Sequence, residues 1–182
     1  MANDLDPRIV RRARRGDQRA FAQLVRHYDD GLRALAFRLL GDRDRMDDAL
    51  QEAYVNAFRA LPGFRGEAEL GTWLYRIAYN ACVDELRRTR TVVPLDSVRE
   101  RVDPSSGTDE RVAARGDLAA ALAALPTEDR AAVLLVDAQG FDYRSAAEIL
   151  GVPEGTVASR LNRARAALRR HLDDRLEGAS ER

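Results

Sequence analysis

The chain has 182 residues, in which thirty basic and thirty acidic side chains cancel, and every basic one is arginine. Hydrophobic residues make up 45%, mostly alanine and leucine with 6% aromatics; this favours helices and leaves no alternating Val/Ile/Thr run for a sheet. A single cysteine, Cys82, excludes an internal disulfide, two distant histidines, His27 and His171, argue against a metal centre, and the absence of an apolar span or signal-type segment implies a cytoplasmic protein without membrane insertion.

Residues 7–92 read as one helical block. Its first long helix carries Phe21, Leu24, Val25 and Tyr28 at helical spacing, which marks a core side. After Gly41, a second helix places Met46, Leu50, Ala53, Ala57 and Leu61 on one side and Asp48, Gln51, Glu52, Val55 and Arg59 on the other. Such a mixed strip either faces solvent or docks on another helix, with Val55 contributing area and Asp48, Gln51 and Glu52 setting orientation.

The next segment opens with a glycine-containing loop, Arg65-Gly66-Glu67, and continues into a helix through Thr72-Trp73-Leu74-Tyr75-Arg76. Leu74, Ile77, Ala78 and Ala81 form its apolar side, among which Cys82 reads as a small core residue or, alternatively, a redox sensor. Trp73, Arg76, Asn80, Asp84 and Arg87 share a second surface. Rings stack bases, Asn reads a base edge and Arg holds phosphate, so the surface suits unpaired nucleic acid. The other reading wedges Trp73 between helices and leaves the polar groups to water.

Residues 93–116 contain Pro94, Pro104, Ser105, Ser106 and Gly107 without apolar periodicity and read as a linker. From Asp96 to Asp129 eight acids oppose four arginines, a local balance of −4. The tether is a solubilising spacer or a segment that occupies a basic channel in a partner.

Residues 117–176 form the second block, followed by a tail, 177–182. Thr127 is expected to cap a helix with Glu128 and Asp129 in its first turn, Gly140 and Gly151 suit helix ends, and Pro153 starts another helix. On that last helix Val157, Leu161, Ala164 and Leu168 make a buried side. Gly155, Ser159, Asn162, Arg163 and Arg170 fall opposite, flanked by Thr156 and Arg160. Five arginines face one acid between Glu154 and Leu172, about +4 locally. By itself this is a solvated basic face; after a helix and a glycine turn it reads as the recognition helix of a helix-turn-helix, whose small first-turn residues admit the major groove.

Taken together, these segments resemble the extracytoplasmic-function group of bacterial sigma factors, the compact kind with only sigma domains 2 and 4. The resemblance rests on Gly16 to Tyr28, Asp-Asp-Ala-Leu-Gln-Glu at 47–52, Phe64-Arg65-Gly66, Thr-Trp-Leu-Tyr-Arg-Ile-Ala at 72–78 with Asn80 and Asp84 to Arg88, Gly155-Thr156-Val157, Ser159-Arg160-Leu161 and Arg163-Ala164-Arg165. It implies an all-α fold of two small helical domains joined by a flexible acidic linker. It also implies that Asp48, Gln51, Glu52 and Val55 bind the clamp helices of core RNA polymerase. Arg65, Trp73, Arg76, Asn80, Asp84, Arg87 and Arg88 would then bind the minus-ten element of promoter DNA, with one base captured in a pocket. Thr156, Ser159, Arg160, Asn162 and Arg163 would meet the minus-35 element. The linker would thread the polymerase, and an anti-sigma factor would hold the protein inactive. The chain departs from the family pattern at Ser145-Ala146-Ala147 and at Ala158, where relatives often carry Glu-Ile-Ala and a basic residue, so a promoter sequence does not transfer.

Two other readings use the same residues. A stand-alone helix-turn-helix regulator would bind its site tightly without polymerase, and a helical adaptor would bind only proteins. An enzyme is not expected, since no nucleophile with a base, ligand cluster or phosphate-binding glycine loop is apparent, and no cofactor is implied.

Overall fold

A computed structural model of the protein describes residues 5–92 and 109–180. The first block comprises α1 (Pro7–Arg14), α2 (Gln18–Leu40), α3 (Arg43–Ala60), a short 3-10 turn (Leu61–Gly63) and α4 (Leu70–Val92). The second comprises α5 (Asp109–Ala123), α6 (Thr127–Val133), a π-helical turn (Leu134–Ala138), α7 (Tyr143–Leu150) and α8 (Glu154–Ser180). Among the described residues there is no strand.

Aspartates start four of these helices. The carboxylates of Asp6, Asp17, Asp42 and Asp142 accept from the N–H groups of Arg8, Ala20, Arg45 and Ser145 at 2.7–3.0 Å, which satisfies donors that the first turn leaves unpaired. These backbone N–H groups hold the Asp17 and Asp142 carboxyls below the usual carboxylate range. Their contribution is therefore present at neutral pH and is lost on acidification through those depressed values.

Three of the sequence expectations need correcting here. Thr127 is not a cap: Pro126 takes that position, without a side-chain hydrogen bond, and Thr127 is the first helical residue. The segment 93–116 is not wholly linker, because its last eight residues, 109–116, are the start of the alanine-rich α5. Likewise, the tail 177–182 contributes 177–180 to α8. The expected threading of the acidic tether falls mostly on 93–108, outside the described residues.

The core of the first block joins Leu24, Leu32 and Leu35 of α2, Leu50, Ala53 and Ala57 of α3 and Leu74, Ala78 and Cys82 of α4. Met46 and Leu61 are buried with them, as the helical spacing requires. Burial pushes the Cys82 thiol up to about 12, so it stays protonated at neutral pH as a small core residue. Ion pairs cross the same helices: Arg33 to Asp47 at 2.6 Å, Arg45 to Glu85 at 3.2 Å and Arg88 to Glu52 at 2.8 Å.

In the second block Leu135, Ile149, Val157, Leu161 and Ala164 are buried between α6, α7 and α8. The turn into α8 runs through Gly151 in the left-handed region, φ 65°, where its N–H reaches Ala147 O, and a residue with a Cβ would be strained.

The two blocks pack on each other, α4 against α7 and α2 against α5 and α6. Tyr75 crosses the boundary. Its ring stands edge-on to Phe141 at 4.8 Å, and its hydroxyl donates to Gln139 Oε1 at 2.9 Å. Both partners follow the π turn, whose extra residue per turn aims Gln139 and Phe141 at α4. Arg130 reaches the carbonyls of Arg38 and Leu39 at the end of α2, both at 3.4 Å, as well as Leu125 and Ala123 in its own block. A guanidinium suits the negative end of a helix.

Candidate nucleic-acid and polymerase interfaces

Three groups of surface residues follow from this fold. The first is on α3, where the buried side chains point into the bundle and therefore turn Asp48, Gln51 and Val55 outward; Val55 is 43% exposed, one of few large apolar side chains in that state. Glu52, half-buried, is paired with Arg88 of α4. The strip is thus tied to α4 through this pair.

The second group surrounds a cavity of about 450 Å³ lined by Phe64, Arg65, Thr72, Trp73 and Arg76, with Glu148 of α7 on its far wall. Trp73 is half-buried and leans on Phe64, ring centroids 5.2 Å apart at 49°. One side of the indole is thus supported and another lines the cavity. The cavity has the size of a small-ligand site. Asn80, Asp84 and Arg87 continue from it as an exposed row along α4, Arg87 lying 3.5 Å from Asp84. Arg65, Trp73 and Arg76 meet at the cavity, Asn80, Asp84 and Arg87 run outward from it, and Arg88 turns away toward α3.

Residue-pattern reasoning missed Thr72 and Glu148 as cavity walls. Thr72 is buried beside Trp73, and its place in the Thr-Trp-Leu-Tyr-Arg motif was the available signal. Glu148 carries no local signal, because only the packing of α7 on α4 brings it there.

The third group is the outer face of α8. Ser159, Asn162 and Arg163 are exposed and Thr156 and Arg160 half-buried. The Ser159 hydroxyl donates to Thr156 O at 2.9 Å. Arg163 forms a bidentate pair with the buried Asp129 of α6, at 3.0 and 2.8 Å, and Arg165 does so with Asp137 at 3.0 and 2.6 Å. Hydrogen bonds to these carboxylates raise both guanidinium pKa values further, so both arginines are held in fixed orientations. On the α4 side, burial raises the Tyr79 phenol, with Arg160 and Glu128 near enough to act on it electrostatically. One flank of the α8 face therefore turns toward the first block.

The DNA contact expected of Arg163 can be tested apart from its structural pair with Asp129. Asp129→Asn is expected to lower the melting temperature by weakening the α6–α8 pair, yet to leave specific DNA binding largely intact, while Arg163→Ala lowers both. Paired melts and binding titrations check this; equal losses of DNA binding in the two variants would make Arg163 a strut only.

Among the described residues no group of three or more His, Cys, Asp or Glu is placed to hold a metal ion, and no helix is long and apolar enough to cross a membrane.

A bundle with an aromatic-lined cavity and a separate helix-turn-helix is the arrangement of a two-region promoter-recognition subunit, and the sequence comparisons agree. Residues 24–92 match Sigma-70 region 2 and residues 115–168 match Sigma-70, region 4. The chain is 42% identical over 159 residues to the ECF RNA polymerase sigma factor SigM of Mycobacterium tuberculosis, covering 86% of this chain and 79% of that one. It is 34% identical to the RNA polymerase sigma-H factor of Pseudomonas aeruginosa, over 98% of this chain and all of the relative. Among solved structures, RpoE of Bartonella quintana in complex with the anti-sigma factor NepR superposes with a TM-score of 0.70 at 31% identity, covering 84% of this chain and 96% of that one. CnrH in complex with the cytosolic domain of CnrY superposes with a TM-score of 0.69 at 29% identity, covering 91% and 96%. The chain belongs to the extracytoplasmic-function (ECF) RNA polymerase sigma factors.

Proposed function

We propose that the protein is an alternative sigma factor that directs core RNA polymerase to its promoters in the cytoplasm and assists melting, with the roles divided among the three surfaces. The cavity between Phe64, Arg65, Trp73 and Arg76 is the observation that carries this reading, because it joins a supported indole to two guanidinium groups. In the minus-ten role a base leaves the duplex and stacks at Trp73, Arg65 and Arg76 hold adjacent phosphates, and Asn80 reads a base edge. Unstacking costs a few kcal/mol, which contacts in the cavity offset. No covalent bond is made or broken in this role. Asp84, Arg87 and Arg88 extend the minus-ten surface along α4, and Thr156, Ser159, Arg160, Asn162 and Arg163 meet the minus-35 element.

The packing of the two blocks bears on this role. Glu67 and Glu148 both contribute carboxylates to a cavity read as the site of a polyanion, so movement of α7 off α4 would remove one of the two repulsions that an incoming strand meets. Core polymerase, held by Asp48, Gln51, Glu52 and Val55, is the natural agent, since it fixes both blocks at the separation the promoter sets and so raises the effective concentration of each at its element. An anti-sigma factor is the partner we propose for the resting state, a reading supported by the complexed form of the Bartonella relative.

In vitro transcription with purified core polymerase and genomic DNA tests the whole reading: start-site-specific RNA is expected only when the chain is added. Specific, tight binding of the chain alone to its site, with no polymerase-dependent initiation, would instead establish a stand-alone regulator. For the polymerase surface, Asp48→Ala and Val55→Asp are expected to reduce retention of core polymerase in a pull-down without changing the melting temperature, as both side chains are exposed.

A further inference from the structure

Both signs of charge line the cavity beside Trp73. Arg65 and Arg76 supply guanidinium groups, and Glu67 and Glu148 supply carboxylates, in a space of about 450 Å³. Elsewhere Arg45, Arg88, Arg163 and Arg165 each meet a carboxylate at 2.6–3.2 Å. Among the described residues, by contrast, Arg65, Arg76 and Glu67 form no ion pair, and Glu148 has Arg144 of its own helix at 3.5 Å. Four charged groups thus converge on one cavity without neutralising one another.

A ligand that uses all four has an anionic end and an edge of hydrogen-bond donors. A DNA strand is anionic along its whole length and meets two carboxylates here, whereas a free nucleotide keeps its phosphate at one end and its base at the other. The Trp73 indole rests on Phe64 and presents another side to the cavity, a platform on which a base stacks. Selectivity then comes from Glu148, because a carboxylate only accepts hydrogen bonds. Guanine sets two donors side by side, N1–H and the N2 amino group. Adenine and cytosine set an acceptor beside their amino group, which a carboxylate repels.

We propose that the chain, with its two blocks packed together, binds a free guanine nucleotide in this cavity. The base stacks on Trp73 with its donor edge toward Glu148, and Arg65 and Arg76 take the phosphate through charge-assisted hydrogen bonds. Glu67, in the same loop as Arg65, is left for the ribose hydroxyls, which a carboxylate suits as acceptor. Because Trp73 and Arg76 belong to α4 and Glu148 to α7, the ligand bridges the two blocks and favours their packed arrangement. It also occupies the place of the captured promoter base and so opposes promoter recognition; this last consequence alone rests on the minus-ten reading.

The test is made on the full chain without polymerase. Ligand-observed NMR compares guanosine 5′-monophosphate (GMP), the adenine equivalent (AMP), guanosine and inorganic phosphate, and quenching of Trp73, the only tryptophan in the chain, places the ligand. GMP is expected to bind about tenfold more tightly than AMP, near the value of one two-bond base contact, and more tightly than guanosine or phosphate. Glu148→Gln brings the GMP to AMP ratio close to one at an unchanged melting temperature. GMP also slows hydrogen exchange in α7 as well as α4. Equal affinity for GMP and AMP, a guanine preference that survives Glu148→Gln, phosphate binding as tight as that of GMP, or protection confined to α4 overturns the proposal. Fork-DNA binding by holoenzyme is measured separately, so a chain that supports it and binds no GMP refutes this inference and leaves the minus-ten reading standing.

Discussion

Gly31→Ala is expected to destabilise the protein by roughly 1–3 kcal/mol, the range for inserting a methyl group into a packed site, chiefly through the Tyr75 hydroxyl. A Cβ at position 31 would overlap the Tyr75 hydroxyl and lie 3.3 Å from Tyr75 Cζ and 2.9 Å from Gln139 Oε1. Tyr75 is 1% exposed and wedged against Phe141, so it has nowhere to retreat. Tyr75→Phe alone loses the hydrogen bond to Gln139, about 1 kcal/mol. In the double variant the added methyl meets a ring edge in place of a hydroxyl, so the two effects are expected to be less than additive by about 1 kcal/mol or more. Urea unfolding of the four proteins measures this directly, and strict additivity would show that the hydroxyl is not the obstacle.

The same tyrosine gives an alkaline signature. Burial pushes the Tyr75 phenol from 10.0 up to about 12. A raised acid contributes stability that is complete below pH 10 and is lost as pH rises through the folded value. The wild type is expected to lose stability between about pH 10 and 12 more steeply than Tyr75→Phe, with the other buried tyrosines sloping both curves alike. Hydrogen exchange should rise first in the π turn and α7, the elements that Tyr75 holds against α4.

Trp73→Ala is expected to weaken holoenzyme binding to a minus-ten single strand by roughly 1–3 kcal/mol, the range for one base on an aromatic platform, and to slow open-complex formation in proportion. Trp73→Phe keeps a ring against Phe64 and retains part of the effect. Arg76→Ala, by contrast, removes a phosphate contact and lowers the salt slope by about one. Permanganate footprinting of the melted region reads all three. Normal melting by Trp73→Ala holoenzyme would relegate the indole to a packing role with Phe64.

Much of the arrangement was legible before any coordinates. Met46, Leu50, Ala53 and Ala57 announced the buried side of α3 by spacing alone, and the same geometry forced Asp48, Gln51 and Val55 outward. Val157, Leu161 and Ala164 did the same for α8. Helix ends were less legible. The expectation of a cap at Thr127 failed because Pro126 supplies the turn itself, and the aspartate caps at 17, 42 and 142 lie in polar stretches where any of several residues could have started the helix. Residues 109–116 looked like linker because proline and serine just upstream dominate the local pattern, although alanine carries the helix onward.

Arg163 and Tyr75 mark the limit of such reasoning. Arg163 sits on the outward face of α8 that its spacing assigns, whereas Tyr75, outside the apolar set Leu74, Ile77, Ala78 and Ala81, is buried beside the core of α4. Their partners are thirty-four and sixty-four residues away, at Asp129 and Gln139. Periodicity is a property of one helix and decides which side is apolar, hence the all-α class, the two blocks and the polar faces that each presents. What lies across from a face depends on how helices are brought together, through a π turn, a glycine small enough for a tyrosine to approach and a guanidinium capping a distant helix end. Those contacts set Glu148 in the wall of the Trp73 cavity, and no spacing within a segment encodes them.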